Sequence, residues 1–275
     1  MSTLDVNALL RQRYGAGAPV LTDPDIVASD TLGLLLRHRS VRAFTSEEVS
    51  DEVITAIVAA AQSAASSSNN QSWSVVEVRD RDRLRRLVTE AGASAFVSEA
   101  PVVLLFVADW ARATEIARWH DEPADAAAYL ESTLVGFVDA GIAAQSAVVA
   151  AEALGLGTVY LGSLRNHPEV AAAEIGLPQG SAVAFGVAIG WPDLADTAGI
   201  KPRLPQRAVR SLEQYQEISR DDVEAYEAEL AAYNASQGRA GNWTRQVVAR
   251  VRDIAGLHGR ENARDALGRR GLPSR

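Results

Sequence analysis

His38-Arg39-Ser40-Val41-Arg42 packs three basic side chains and a hydroxyl into five residues, and two further stretches repeat the chemistry. These are Leu161-Gly162-Ser163-Leu164-Arg165 and Ile200-Lys201-Pro202-Arg203-Leu204-Pro205. The surrounding chain is acidic, with 27 Lys and Arg against 35 Asp and Glu and a formal net charge of -8. Gathering cations at chosen turns of such a chain suits an anionic ligand held in a pocket. Guanidinium forks, an ammonium, hydroxyls and exposed backbone N–H groups together make a phosphate receptor. Each element has an ordinary reading when taken alone. A basic turn is usually solvated and salt-bridged, a run such as Ser66-Ser67-Ser68 is usually a loop, and Gly162 after a strand is usually a turn. Pro202 limits the conformations available between Lys201 and Arg203. It is the conjunction that points to a ligand.

Composition narrows the remaining possibilities. The chain has 275 residues, 47% hydrophobic and 23% charged, as an ordinary soluble domain with a sizeable core has. With no cysteine, disulfides, thiolate metal sites and Cys nucleophiles are excluded. The four histidines, His38, His120, His167 and His258, are scattered without metal-ligand spacing. The acidic balance argues against nonspecific nucleic-acid binding. The opening residues lack a basic start and a long apolar stretch, and runs such as Val102 to Ala108 are far shorter than a bilayer, so a cytoplasmic location is expected.

The elements that must position these groups can be read from periodicity. Residues 1–30 read as an N-terminal arm with one helix from Leu4 to Arg13. A short helix over Leu32 to His38 leads into the first basic turn. Ser50 is an N-cap with Asp51 and Glu52 in the first turn, and Ile54, Ile57, Val58 and Ala61 recur at helical spacing. Strands are predicted at Trp73 to Val78, Val102 to Ala108, Thr158 to Leu161 and Ala182 to Ile189, with short helices around Leu84 to Val88 and over Pro168 to Ile175. Residues 111–130 read as a polar surface excursion. Ser132 to Leu154 is apolar on nearly every side, with Asp139 among its few polar breaks, and predicts a helix buried in a core or a subunit interface, ended by Gly155 and Gly157. Helices and strands alternate without a βαβ repeat, so the fold class is α+β. Beyond Leu212 the chain is helical, and Pro202 to Gln206 is the expected junction to that tail.

The ordered set of motifs resembles the FMN-dependent nitroreductase family, in its branch of NADPH nitroreductases and flavin reductases. The matching residues run from His38 to Thr45, through Ser66-Ser67-Ser68 with Gln71, Ala150 to Gly157 and Tyr160 to Asn166. They continue with Gly190-Trp191-Pro192 and Lys201 to Pro205, and the similarity spans about Leu32 to Tyr215. The resemblance implies a central mixed or antiparallel sheet flanked by helices. It also implies an obligate homodimer built on the long helix, with FMN at each of two interfaces. On this reading residues 31–215 form the FMN-binding domain, and residues 216–275 form a helical extension packing on the same domain or on the partner.

The resemblance also assigns roles. His38, Arg39 and Ser40 with Lys201 and Arg203 would hold the FMN phosphate, and Arg42 would approach the ribityl chain and the N1/O2 edge. Ser66, Ser67 and Ser68 would reach the flavin of the other subunit. Leu161, Gly162 and Ser163 would lie beside N5, with backbone N–H groups facing it. No side chain would serve as a catalytic residue and no metal is needed. Ser94 stands where the branch carries a Gln at the pyrimidine edge, and Ser163 stands for a common Gly. Arg239 matches one of a pair of arginines linked to NADPH recognition while Ala240 replaces the other, and Arg260 is a second candidate. The implied activity is ping-pong hydride transfer from NAD(P)H through FMN to nitro, flavin or quinone acceptors. The alternatives are an FMN-binding sensor or store without turnover, and a specialised enzyme of the same fold with a different acceptor.

Overall fold

The computed structural model describes residues 5–195 and 198–275. Leu4, the expected start of the first helix, lies outside them. The helices are α1 (Val6–Tyr14), α2 (Pro24–Val27), α3 (Asp30–Arg37), α4 (Asp51–Gln62), α5 (Arg81–Thr89), α6 (Ala111–Trp119), α7 (Leu130–Ala153), α8 (Pro168–Glu174), α9 (Arg220–Ser236), α10 (Trp243–Arg252) and α11 (Ala263–Arg269). The strands are β1 (Trp73–Val78), β2 (Val102–Asp109), β3 (Gly157–Leu161) and β4 (Ser181–Gly190). Two compact units are formed, one from Met1–Arg39 with Thr197–Leu257 and the other from Ser40–Asp196 with His258–Arg275.

The second unit carries the sheet, with strand order β1-β2-β4-β3 and antiparallel pairing throughout the ladders. This is the expected α+β class. Central strands covered on both faces must be apolar at every position, which is why β2 and β4 read as continuous hydrophobic runs. Along β2, Leu104 and Phe106 join a core with Ile54 and Ile57 of α4 and Ala143 and Ala147 of α7. Val103 and Leu105 point the other way, into a core with Leu84 and Leu87 of α5 and with Leu164. A bulge skips Ala184, since Phe106 pairs with Phe185 and Val107 with Val183, and the inward parity of β4 flips there. Phe106 is fully buried, and truncating such a side chain to Ala costs about 3–5 kcal/mol.

Ser50 accepts from the Val53 N–H at 3.3 Å and starts α4, as its residue type and spacing predict. By length and mean hydropathy α7 could cross a bilayer. Its small-residue face, including Gly136, Ala140, Ala143, Ala144 and Ala147, is buried. A Cβ on Gly136 would come 3.1 Å from the Ala108 Cβ, so these residues let the helix lie close to the sheet. On the opposite side Leu134, Val138 and Ile142 are exposed in the single chain. Gly157 differs from its expected place at the helix end; it opens β3, where a Cβ would meet Val41 at 2.7 Å.

The first unit is helical. Asp5, Asp23, Ser29, Ser219 and Asn242 cap α1, α2, α3, α9 and α10 through side-chain oxygens. Val6, Leu9 and Leu10 of α1 and Leu34 of α3 are buried. Helix α1 ends at Gly15, whose φ of 59° and ψ of -139° suit glycine alone. The Glu229 carboxylate of α9 fills the space where a Cβ would stand and accepts from the Ala16 N–H at 3.2 Å.

Candidate functional site

The two cationic turns of the first unit are far apart in sequence and are tied together by main-chain acceptors. Arg39, just past α3, donates from Nη1 to the Ala198 carbonyl at 3.1 Å. Tyr233 of α9 donates to the Gly199 carbonyl at 3.0 Å, and Tyr226 lies 3.4 Å from the Pro202 carbonyl. Burial pushes the Tyr226 phenol up from its ordinary pKa, so it keeps its proton for that contact. The Ala198, Gly199 and Pro202 carbonyls therefore face donors from the fold, while Lys201 and Arg203 stay exposed. These two cations, with Tyr14, Tyr226 and Trp243, line a cavity of about 550 Å³.

The first unit thus brings together His38, Arg39, Lys201 and Arg203. Within that set are an imidazole, an ammonium and two guanidinium forks, donors whose number and charge fit a phosphomonoester. Arg239 lies in the same unit beyond α9, exposed, with its N–H on the Asn234 carbonyl at 2.8 Å.

In the second unit Ser40 bridges Thr158 of β3, and the Val41 N–H donates to the Thr158 carbonyl at 2.9 Å. The segment carrying Ser40 and exposed Arg42 is thus fixed along β3, which runs to Leu161. Gly162 and Ser163 then open a half-buried 3₁₀ turn. A Cβ on Gly162 would meet only Arg165 at an ordinary 3.5 Å, so packing within the protein does not require glycine there. Ser94 is exposed and makes no side-chain cap of the turn it precedes. Arg260 is half-buried at the start of a 3₁₀ turn ahead of α11.

The serine triplet is held by a residue whose role sequence reasoning missed. Asp139 of α7 is 1% exposed and accepts from Ser66 Oγ at 2.8 Å, Ser67 N at 3.1 Å and Ser72 Oγ at 2.9 Å. The loop it gathers holds Ser68, Asn69 and Gln71 at φ of 48°, 57° and 51°, the left-handed region that non-glycine residues avoid. The sequence carried a signal: Asp139 is the sole charge between Ser132 and Ala151. Arg13 of α1 is a second buried polar residue, 6% exposed. It donates from Nε to the Leu36 carbonyl at 2.9 Å and from Nη1 to the Lys201 carbonyl at 2.9 Å, while Nη2 donates to the His38 carbonyl.

Fold and residues together define an α+β protein with an antiparallel sheet in one unit and clustered cationic turns in the other. The Nitroreductase family matches residues 35–191, and the C-terminal domain of the Nitroreductase family matches residues 201–275. The chain belongs to the nitroreductase family. It is 37% identical over 226 residues to an NADPH-flavin oxidoreductase of Vibrio harveyi, covering 81% of this chain and 91% of that one. It is also 37% identical over 241 residues to an FMN reductase [NAD(P)H] of Bacillus subtilis, covering 85% and 95%. The solved NADPH:FMN oxidoreductase of Vibrio harveyi, complexed with NAD+, superimposes with a TM-score of 0.80 at 36% identity, covering 90% of this chain and all of that one.

Proposed function

We propose that this protein is an FMN-dependent NAD(P)H oxidoreductase reducing flavin, quinone or nitroaromatic acceptors, the activity its reductase relatives support. The observation that carries the reading is the locking of the His38-Arg39 turn to the Lys201-Arg203 turn through main-chain acceptors in one helical unit. FMN, when bound, would supply the two-electron hydride chemistry that links NAD(P)H to the acceptor in a ping-pong cycle.

His38, Arg39 and Ser40 with Lys201 and Arg203 hold the phosphate in this reading. Arg42 would place a positive charge against the flavin, where it would favour the reduced form. Leu161, Gly162 and Ser163 lie at the N5 side, with Ser94 toward the pyrimidine edge, and Arg239 and Arg260 take the NADPH phosphates. The functional unit is a cytoplasmic homodimer in which Leu134, Val138 and Ile142 of α7 pack against a second copy. That exposed apolar stripe supports the assembly. Ser66, Ser67 and Ser68 then serve the partner's flavin. Residues 31–215 form the flavin-binding part, residues 1–30 the arm and residues 216–275 the extension.

Anaerobic mixing with NADPH and then NADH tests the activity. The purified protein is expected to carry yellow flavin that NADPH bleaches and an acceptor restores. Protein that neither carries nor binds FMN, or whose FMN neither nucleotide reduces, would overturn the reading.

A further inference from the structure

The family match begins at residue 35, so α1 lies ahead of it. Yet α1 sends a buried guanidinium into the base of the cationic turns. Arg13 reaches three carbonyls in three places: Leu36 in the last turn of α3, His38 at its cap, and Lys201 from a segment 188 residues away. The contact is reciprocal, since the Arg13 carbonyl near the end of α1 accepts from the Arg203 N–H at 2.7 Å. The planar fork of an arginine can hold three acceptors in fixed relative positions, which a lysine ammonium on a flexible stem does not. Peptide bonds here are trans, so the Arg39 N–H, sharing its peptide with the His38 carbonyl, points away from Arg13.

We infer that Arg13 is a positioning residue for the cofactor's phosphate: α1 of the N-terminal arm clamps the His38-Arg39 turn to the Lys201-Arg203 turn and sets the spacing of the phosphate donors. This rests on reading those four residues as phosphate ligands. Burying a guanidinium is costly, and charge-assisted bonds to three carbonyls offset that cost only while the two turns keep this spacing. The arm thus makes the receptor rigid before the anion arrives, and rigidity lowers the cost of binding. Gly15 and Glu229 hold the end of α1 in place and keep Arg13 aimed.

The test compares FMN with riboflavin, which lacks the phosphate, by fluorescence titration of apo-protein. R13M keeps the apolar stem and removes the fork; R13K keeps the charge and loses the planar geometry. Both are expected to lower FMN affinity by about tenfold or more while leaving riboflavin affinity within about twofold. Circular dichroism and thermal melting of the apo-protein report folding, and should R13M fail to fold, R13K carries the test. Equal losses for FMN and riboflavin, or an R13K variant with wild-type FMN affinity, would overturn the clamp. A K201A/R203A variant run in parallel separates the two ideas. If it leaves the preference for FMN intact, the phosphate reading itself fails. If it abolishes that preference and R13K does not reduce it, only the role of Arg13 falls.

Discussion

Two loops proposed to serve flavins of opposite protomers are built on opposite electrostatic plans. The cationic turns at residues 38–39 and 198–203 are held from beneath by a buried cation, Arg13, through their carbonyl oxygens. The serine loop is held by a buried anion, Asp139, through its hydroxyls and one N–H. The first arrangement joins two segments 159 residues apart and needs a group with several donors in a fixed fork. The second gathers a single loop, Ser66 to Ser72, onto one carboxylate 67 to 73 residues further along the chain, and that loop keeps three non-glycine residues left-handed. Losing Arg13 therefore loosens a distance between segments, whereas losing Asp139 lets one loop refold.

The largest effect is expected at the charged turns. K201A/R203A removes two charge-assisted contacts of about 1.5–3 kcal/mol each, so FMN affinity falls about a hundredfold or more in fluorescence titration. Unchanged affinity would break the comparison at its first term. D139A strands two hydroxyls and the Ser67 N–H, and is expected to lower stability by about 3 kcal/mol in urea unfolding. Wild-type stability there would mean that the carboxylate organises nothing.

The neighbouring position sharpens the contrast. Val138 is 57% exposed, turned about 100° around α7 from Asp139, so V138D leaves the protomer folded. Sedimentation should then show monomer, with FMN held by the cationic turns alone and more weakly. A V138D dimer would remove the basis for sharing the serine loop between subunits.

The smallest effect belongs to a pair outside both loops. Arg86, and less strongly Arg83, hold the Glu174 carboxyl below its ordinary range. A depressed carboxylate pKa stabilises the fold above the usual range and ceases to do so as pH falls through the depressed value. E174Q should thus lower the melting temperature by about 1–2 °C at neutral pH, with the difference fading in acid and FMN affinity unaffected.

The sheet and its flanking helices were legible because periodicity and caps act locally. Ser50, the β2 run and the small-residue face of α7 all carry their structure in their spacing. Asp139 was visible as a lone charge in an apolar helix, though its partners were not. Arg13 gave no signal, since an arginine in a short amphipathic helix looks solvated until the chain brings residue 201 back to it. The Leu134–Val138–Ile142 stripe was legible as an apolar face, but periodicity does not say whether the protein's own core or a second copy covers it.

The central claim is that the cationic turns recognise a phosphate, and the affinity of wild-type apo-protein for FMN against riboflavin measures it directly. Binding of FMN about a hundredfold tighter or more is expected. Equal affinity for the two flavins would contradict it.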